Sequence, residues 1–314
     1  MMRLTLTAVS ALALTLAACS PPAAEKAAET PGAAPAASTQ AANEAFAFKI
    51  GALDAYALQD GSLSVPNNGE VLAIGEAKAD VDALLTANGL PTDTLGLSIQ
   101  PLLVKMGDKV VLFDTGAGGQ MGTEGELLTS LTAAGVQPGQ VTDILISHAH
   151  GDHVGGLVNG EGQLVFPNAT IRMTTDEWDA LKADPTMAAL VTALTPKVQT
   201  FAAGAEVLPG VTAVDIQGHT PGHTGYQIAS GNEGLLYIGD TMHHSVISVQ
   251  RPDWTIQFDG RADVAEASRR ALLERAASEN QRLYAVHFPY PGLGRIERRA
   301  DDFVWVAEPG PAAR

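Results

Sequence analysis

The chain has 314 residues, 46% of them hydrophobic, and a formal charge of −16. That is enough for one large domain with a sizeable core or two small ones, while an acidic surface with no offsetting Lys/Arg cluster excludes a nucleic-acid partner. The single cysteine, Cys19, excludes a disulfide within the monomer and a thiolate-ligated metal site in the folded domain.

Residues 1–19 read as an export signal, in which Arg3 supplies the positive charge and Leu4 to Ala18 an apolar run too short to span a bilayer. The run ends Leu16-Ala17-Ala18-Cys19, which looks like a bacterial lipobox whose cysteine is lipidated and becomes the new N-terminus; an ordinary signal peptide cut at small residues is the alternative. The expected location is outside the cytoplasm, facing the periplasm or cell exterior, with membrane contact only through lipidated Cys19. Residues 20–44 contain no aromatic or branched aliphatic side chain and read as a disordered tether. Its flexible-chain reach is roughly 25 to 30 Å.

The domain proper is taken as residues 45–314. Phe46 to Leu58 alternates weakly and leads into Gln59-Asp60-Gly61, the pattern of a hairpin. Glu76 to Asn88 has helical spacing and stops at Gly89-Leu90-Pro91. Leu97 to Lys105 and Lys109 to Phe113 are apolar strands about a Met106-Gly107-Asp108 turn. The second strand runs into Asp114-Thr115-Gly116-Ala117-Gly118, which lacks the lysine and spacing of a phosphate-cradling loop and reads as a tight turn. Glu124 to Ala134 is predicted as a helix ended by Gly135 and followed by Pro138.

Strand Asp143 to Ile146 then delivers Ser147-His148-Ala149-His150-Gly151-Asp152-His153-Val154-Gly155-Gly156. Four potential ligands in six residues, directly after a buried strand, mark a metal site. His148 and His150, two apart, would point to nearly opposite sides of a helix, so they need extended or loop backbone to meet at one ion. Asp152 and His153 are adjacent and must diverge. Ligands aimed two ways suit two ions side by side.

Ala169 to Met173 is the next strand, and Thr175 to Lys182 a helix capped by Thr174 or Thr175. Val198 to Phe201 and Val211 to Ile216 are short strands, followed by Gly218-His219-Thr220-Pro221-Gly222-His223. Strands Tyr226 to Ala229 and Leu235 to Ile238 lead to Gly239-Asp240-Thr241, where Asp240 stands as a ligand at a strand end rather than a surface charge. Arg261 to Ser278 is the longest helix, with Asp259 near its start and Arg269, Arg270 and Arg275 toward its end, in keeping with the macrodipole. Leu283 to Val286 presents His287, and Gly294 to Arg299 with Phe303 to Ala307 closes the chain as a hairpin. Strand-rich halves on each side of about residue 190 allow a pseudo-symmetric sandwich.

All eight histidines lie between 148 and 287. His148-x-His150-x-Asp152-His153, then His219 in Gly-His-Thr-Pro-Gly-His, Asp240 in Gly-Asp-Thr, and His287 after a strand resembles the metallo-β-lactamase superfamily over nearly all of residues 46–308. The resemblance implies an α/β, four-layer αββα sandwich with two metals at the strand ends. His148, His150 and His219 would hold one ion, Asp152, His153 and His287 the other, with Asp240 bridging. By the same resemblance His223 and Asp114 support the ligands without touching metal.

Imidazole and carboxylate donors without sulfur suit Zn²⁺, with Mn²⁺, Co²⁺ or Fe²⁺ as alternatives. Hydroxide between two ions is a nucleophile at neutral pH, because metal binding lowers the pKa of water from about 15.7 toward roughly 7. His150 stands where the oxygen-reducing branch has glutamate, so hydrolysis is preferred. Asp240 stands where many β-lactamases have cysteine or serine, and the run Val286 to Gly294 looks most like the methyl parathion hydrolase branch, whose neighbours include the N-acyl-homoserine lactonases.

The expected activity is therefore hydrolysis of small-molecule esters, lactones or organophosphotriesters. Asp152 and one of His243 or His244 are the candidate catalytic residues, a histidine donating a proton to a leaving alkoxide. Trp178, Trp254 and Phe288 are candidate walls of an apolar pocket. A homodimer is left open. The rivals are a β-lactamase or thioesterase on the same scaffold and a non-catalytic metal-binding lipoprotein, the latter disfavoured because seven ligands for two ions leave positions open to water and substrate.

Overall fold

The computed structural model describes residues 45–121 and 125–310. The export signal, lipobox and tether expected over 1–44 lie outside the described residues. Among the described residues no helix is long and apolar enough to cross a membrane.

Two seven-stranded sheets form the interior. The first runs, in spatial order, Phe46–Ile50, Leu53–Ala57, Leu102–Met106, Lys109–Phe113, Asp143–Leu145, Thr170–Thr174 and Val198–Phe201. The second runs Glu206–Leu208, Val211–Asp215, Thr224–Ser230, Glu233–Tyr237, Leu283–Tyr284, Leu293–Arg299 and Asp302–Ala307. Strand alternation sorts the apolar side chains between layers. Leu102, Val104, Val111 and Phe113 face Ala213, Tyr226, Ile228 and Tyr237 of the other sheet. Leu103, Leu112, Ile144 and Ile171 face outward, covered by Leu127, Leu131, Trp178, Leu181 and Leu194 from helical segments. On the far side, Leu236, Ile238, Leu283 and Ile296 are covered by Leu272, Leu273 and Ala276 of helix Ala262–Ser278. The result is an αββα sandwich whose first sheet ends and second begins between Phe201 and Glu206.

Three local expectations change. The opening hairpin turns at Gly51-Ala52, with Gly51 at φ +55, whereas Asp60 is fully buried and accepts from the backbone N–H groups of Ala117, Gly125 and Leu127. That carboxylate also explains the second change, since the helix expected from Glu124 spans Leu127–Ala133. The third is the strand expected over Leu97 to Lys105, which breaks at Gln100-Pro101, where proline has no N–H to give a ladder. Thr94–Ile99 pairs with Gly61–Pro66 in a separate ribbon, and Leu102–Met106 joins the large sheet.

Candidate metal centre

The ligand-type residues leave strands at one edge of the sandwich. Asp143–Leu145 lies parallel to Lys109–Phe113 and Thr170–Thr174, and the chain beyond it carries Ser147 and His148 as loop. His150, in extended conformation, precedes a one-turn helix, Gly151–Val154. Asp152 and His153 therefore do not diverge as the sequence reading required; on this tight turn both reach the same point. The glycines that follow are needed for close approach. A Cβ on Gly156 would lie 2.0 Å from the Thr115 carbonyl oxygen, and Thr115 N–H donates to the His153 carbonyl at 2.7 Å. His219 follows strand Val211–Asp215, Asp240 follows Glu233–Tyr237, and His287 follows Leu283–Tyr284.

Two groups result, and the donor atoms within each lie within 4.8 Å of one another. In the first, His148 Nε2, His150 Nδ1 and His219 Nε2 form a triangle with edges of 3.0, 3.0 and 3.2 Å. An ion at the Zn–N distance of about 2.0–2.1 Å from each corner fits such a triangle. In the second, His153 Nε2 and His287 Nε2 each stand 3.1 Å from Asp240 Oδ1, and 3.6 and 3.5 Å from Asp152 Oδ2. Asp240 belongs to both groups, its Oδ2 lying 3.4 Å from His219 Nε2 and 3.6 Å from His148 Nε2. Asp152 enters as an oxygen donor of the second group. Metal fits these residues because His153 Nε2 and Asp240 Oδ1 are buried with no hydrogen-bond partner, a costly state for polar atoms unless an ion satisfies them.

The charges are arranged accordingly. Burial alone would push the His153 imidazole down, but Asp240, Asp152 and Asp114 hold it well above its usual value. His287 is likewise raised by Asp240 and Asp152 against the effect of burial. Burial works against ionised Asp240 and Asp152, yet the surrounding imidazoles hold both carboxyls below the usual range. His148 is pushed well down, first by burial and then by His153, and His219 falls to about 3 through burial against the pull of Asp259. These last two histidines are thus neutral, which is the ligating form.

The far nitrogens are held as metal-binding imidazoles usually are. His153 Nδ1 meets Asp114 Oδ2 at 2.8 Å, His287 Nδ1 the Ser98 carbonyl at 2.7 Å, His148 Nδ1 the Ser147 hydroxyl at 3.1 Å, and His219 Nδ1 Asp259 Oδ1 at 2.9 Å. His223 lies outside both groups. Its Nε2 accepts from the Asp240 backbone N–H at 2.9 Å and its Nδ1 faces the Ile216 carbonyl, so it sets the Asp240 turn. Asp114, a non-glycine residue at φ +57, accepts from Ser147 N–H and hydroxyl and from the Tyr237 hydroxyl.

His243 and His244 part company. His243 Nε2 reaches within 3.2 Å of Asp240 Oδ2, and neither ring nitrogen has a hydrogen-bond partner. His244 turns away: its Nδ1 accepts from Val246 and Ile247 N–H at the start of helix Ile247–Gln250, so the donor role considered for it is corrected to a backbone cap. The aromatic walls need correction too. Phe288 is fully buried edge-on to Trp305, and Trp178 packs in the core beneath the first sheet, because each lies on a core-facing side that the sequence does not distinguish. Trp254 packs half-buried on the cluster of Leu72, Leu84 and Ile256. The exposed apolar residues beside the site are instead Phe258, whose ring is 5.7 Å from that of His243, and Met121, near Gly151.

Three buried residues were not singled out as part of the site. Glu177 accepts from Ala149 N–H through one carboxylate oxygen, and from Gly222 N–H and the Thr220 hydroxyl through the other, so it ties the two histidine loops together. Asp259 holds His219. Arg269, read as a charge favouring its helix end, is 0% exposed and points inward to Asp259.

The family model of the metallo-β-lactamase superfamily matches residues 96–287. Among curated proteins, an N-acyl homoserine lactonase of Bacillus cereus is 27% identical over 183 residues, 51% of this chain and 68% of that protein. A hydroxyacylglutathione hydrolase of Synechococcus sp. is 35% identical over 120 residues, 37% of this chain and 41% of that protein. Among solved structures, AidC, a dizinc quorum-quenching lactonase in complex with a product, superposes with a TM-score of 0.79 at 34% identity, covering 85% of this chain and 98% of AidC. The hydrolase AbOPH superposes with a TM-score of 0.77 at 26% identity over 85% of this chain and 98% of its own.

Proposed function

Because the chain belongs to the metallo-β-lactamase superfamily and is a metal-dependent hydrolase, we propose that it opens lactones and cleaves carboxylic esters of small molecules at a dinuclear site. The observation that carries this reading is Asp240, whose carboxylate belongs to both ligand groups, with Oδ1 3.1 Å from His153 Nε2 and Oδ2 3.4 Å from His219 Nε2. His148, His150 and His219 would hold one ion, Asp152, His153 and His287 the other, and Asp240 both. When bound, two divalent ions, of which Zn²⁺ best suits the donor set, make hydroxide available near neutral pH and polarise the substrate oxygen.

The chain's own residues do the rest. Glu177 fixes the two histidine loops, Asp114 and Asp259 orient His153 and His219, and His223 holds the Asp240 turn. His150 and Asp152 are half-buried while the other group members are buried, so substrate enters over the 150–152 turn. His243, with an unpartnered Nε2 beside Asp240, is placed to hydrogen-bond the leaving oxygen and pass it a proton. That need is greatest for an alkyl lactone, whose alkoxide is a poor leaving group. The 34% identity to a lactonase over 98% of its length supports this substrate class, and organophosphotriesters stay in the proposal as alternative substrates of the same site.

The hydroxyacylglutathione hydrolase match favours thioesters as a second reading. A hydrolysis screen of the purified, zinc-reconstituted enzyme over acyl lactones, aryl esters, thioesters, phosphotriesters and β-lactams decides the matter. Lactones and aryl esters are expected to exceed β-lactams by at least about a hundredfold in kcat/KM, a transition-state difference of roughly 2.7 kcal/mol. A thioester preference selects the second reading, and a β-lactam preference sinks both.

Export and lipid anchoring are proposed from Leu16-Ala17-Ala18-Cys19. Wild type should fractionate with membranes and take up labelled fatty acid, and Cys19→Ala should do neither; a membrane-bound alanine variant beside an unlabelled wild type removes the lipobox reading.

A further inference from the structure

Arg269 heads the fully buried side chains by volume and sits mid-way along helix Ala262–Ser278. Each arm of its guanidinium has a target. Nη2 donates to Asp259 Oδ2 at 2.7 Å, Nε to the Thr241 carbonyl at 2.9 Å, and Nη1 to the Pro252 carbonyl at 2.8 Å. Asp259 places its other oxygen 2.9 Å from His219 Nδ1, and Thr241 adjoins Asp240. The turn Gly239–Thr241 is irregular at Asp240, with φ −95 and ψ 27, and is closed from within only at Thr241, whose N–H and hydroxyl both donate to the Ile238 carbonyl. One side of it is fixed by His223 and the other by Arg269.

A buried ion pair is a poor stabiliser of a fold, since well-packed apolar side chains of similar volume do as well or better. What a guanidinium supplies and an apolar residue or lysine does not is a rigid fork reaching several acceptors at fixed angles. Here two of the three acceptors, Asp259 and the Thr241 carbonyl, lie on separate loops that serve the ligand groups. We propose that Arg269 is a positioning residue of the metal centre, one fork that fixes His219 through Asp259 and the Asp240 turn through the Thr241 carbonyl, so that the bridging carboxylate and the first histidine group keep a common geometry. This rests on the dinuclear reading above.

The test uses zinc-reconstituted wild type, Arg269→Lys, and the double variant Arg269→Met with Asp259→Asn. The lysine keeps the charge and loses the fork. The double variant removes both charges, while the amide oxygen introduced at position 259 can still accept from His219. The readouts are thermal stability of the metal-free proteins, zinc per chain after dialysis against graded chelator, and the visible spectrum of the Co²⁺ forms. Metal-free stability is expected to fall in both variants, because buried carbonyls lose a donor, yet both should remain folded at the temperature of the metal titration. Half of the zinc should nevertheless leave at about 10- to 100-fold lower chelator, and the Co²⁺ bands should shift. Retention of both ions with wild-type chelator dependence and an unchanged spectrum overturns the proposal. A wild type holding at most one ion overturns the dinuclear reading, and the proposal with it.

Discussion

The imidazole of His243 lies nearly parallel to that of His287, their planes 10° apart and centroids 5.4 Å from each other. His287 Nε2 points at Asp240 Oδ1 and its Nδ1 at the Ser98 carbonyl, whereas both nitrogens of His243 are without a hydrogen-bond partner. The stacked pair thus divides into a ring committed to the metal group and a ring held beside it with a nitrogen to spare. His243→Gln is expected to retain wild-type zinc content. Its kcat on alkyl lactones should fall by about 10²- to 10⁴-fold, the range for loss of a general acid, and its kcat on nitrophenyl esters, whose phenolate leaves unprotonated, much less. Equal losses on the two substrates assign His243 to metal support.

Zinc content itself is the second expectation. Two groups of four donors sharing Asp240 should hold close to two ions per fully reconstituted chain. His153→Ala removes a donor from the second group only and should keep the first ion, leaving about one per chain. Elemental analysis giving at most one ion in wild type would falsify the two-ion assignment.

These expectations use residues that the sequence made legible. Histidines and aspartates placed just after apolar strands have few roles besides ligation, and the outer layers follow from strand alternation and helical spacing. What stayed hidden acts across long separations or through orientation. Asp259 serves His219 from 40 residues away, and Glu177 reaches Gly222 from 45. In sequence each is only an acidic residue beside a helix start, where such charges are common. Arg269, mid-way along its helix, carries the same ambiguity, since arginine there reads as a solvated charge. Trp178 and Phe288 were misplaced for a related reason: an aromatic side chain declares that it will be buried, not which layer buries it.

Asp114 offers a test of support without ligation. Its carboxylate accepts from Ser147 N–H, the Ser147 hydroxyl and the Tyr237 hydroxyl, and faces His153 Nδ1, all at 2.6–2.8 Å. Asparagine tolerates the positive φ, so Asp114→Asn keeps the backbone but aims an amide NH₂ at groups that donate. At least one buried donor then loses its acceptor, a cost of about 1–3 kcal/mol. His153 also loses the carboxylate that orients it, worth about 10- to 100-fold in metal affinity. Urea unfolding of the metal-free protein and zinc competition measure the two effects separately. Wild-type affinity for the second ion in this variant would remove Asp114 from the centre's support.

His244 supplies the pH expectation. It is 7% exposed, and burial lowers its pKa from 6.5 to about 4. Its Nδ1 accepts two backbone N–H groups at the start of Ile247–Gln250, a role open only to an unprotonated nitrogen. Above pH 6.5 the ring is neutral folded or unfolded and contributes no pH dependence. As pH falls below 6.5 the unfolded chain takes up a proton that the folded state refuses, so stability is lost progressively down to about pH 4 and is then level. A shift of this size corresponds to something on the order of 3 kcal/mol. His244→Asn keeps an acceptor for the same N–H groups and cannot titrate. Urea midpoints of the metal-free proteins at about pH 7.5 and about pH 4.5 should therefore show a smaller acid loss for the variant, though not none, since His148 and His219 are also held neutral by burial and add losses of the same sign. An acid loss equal to that of wild type would mean that His244 is already protonated in the fold, and that the cap at Ile247 does not depend on its free nitrogen.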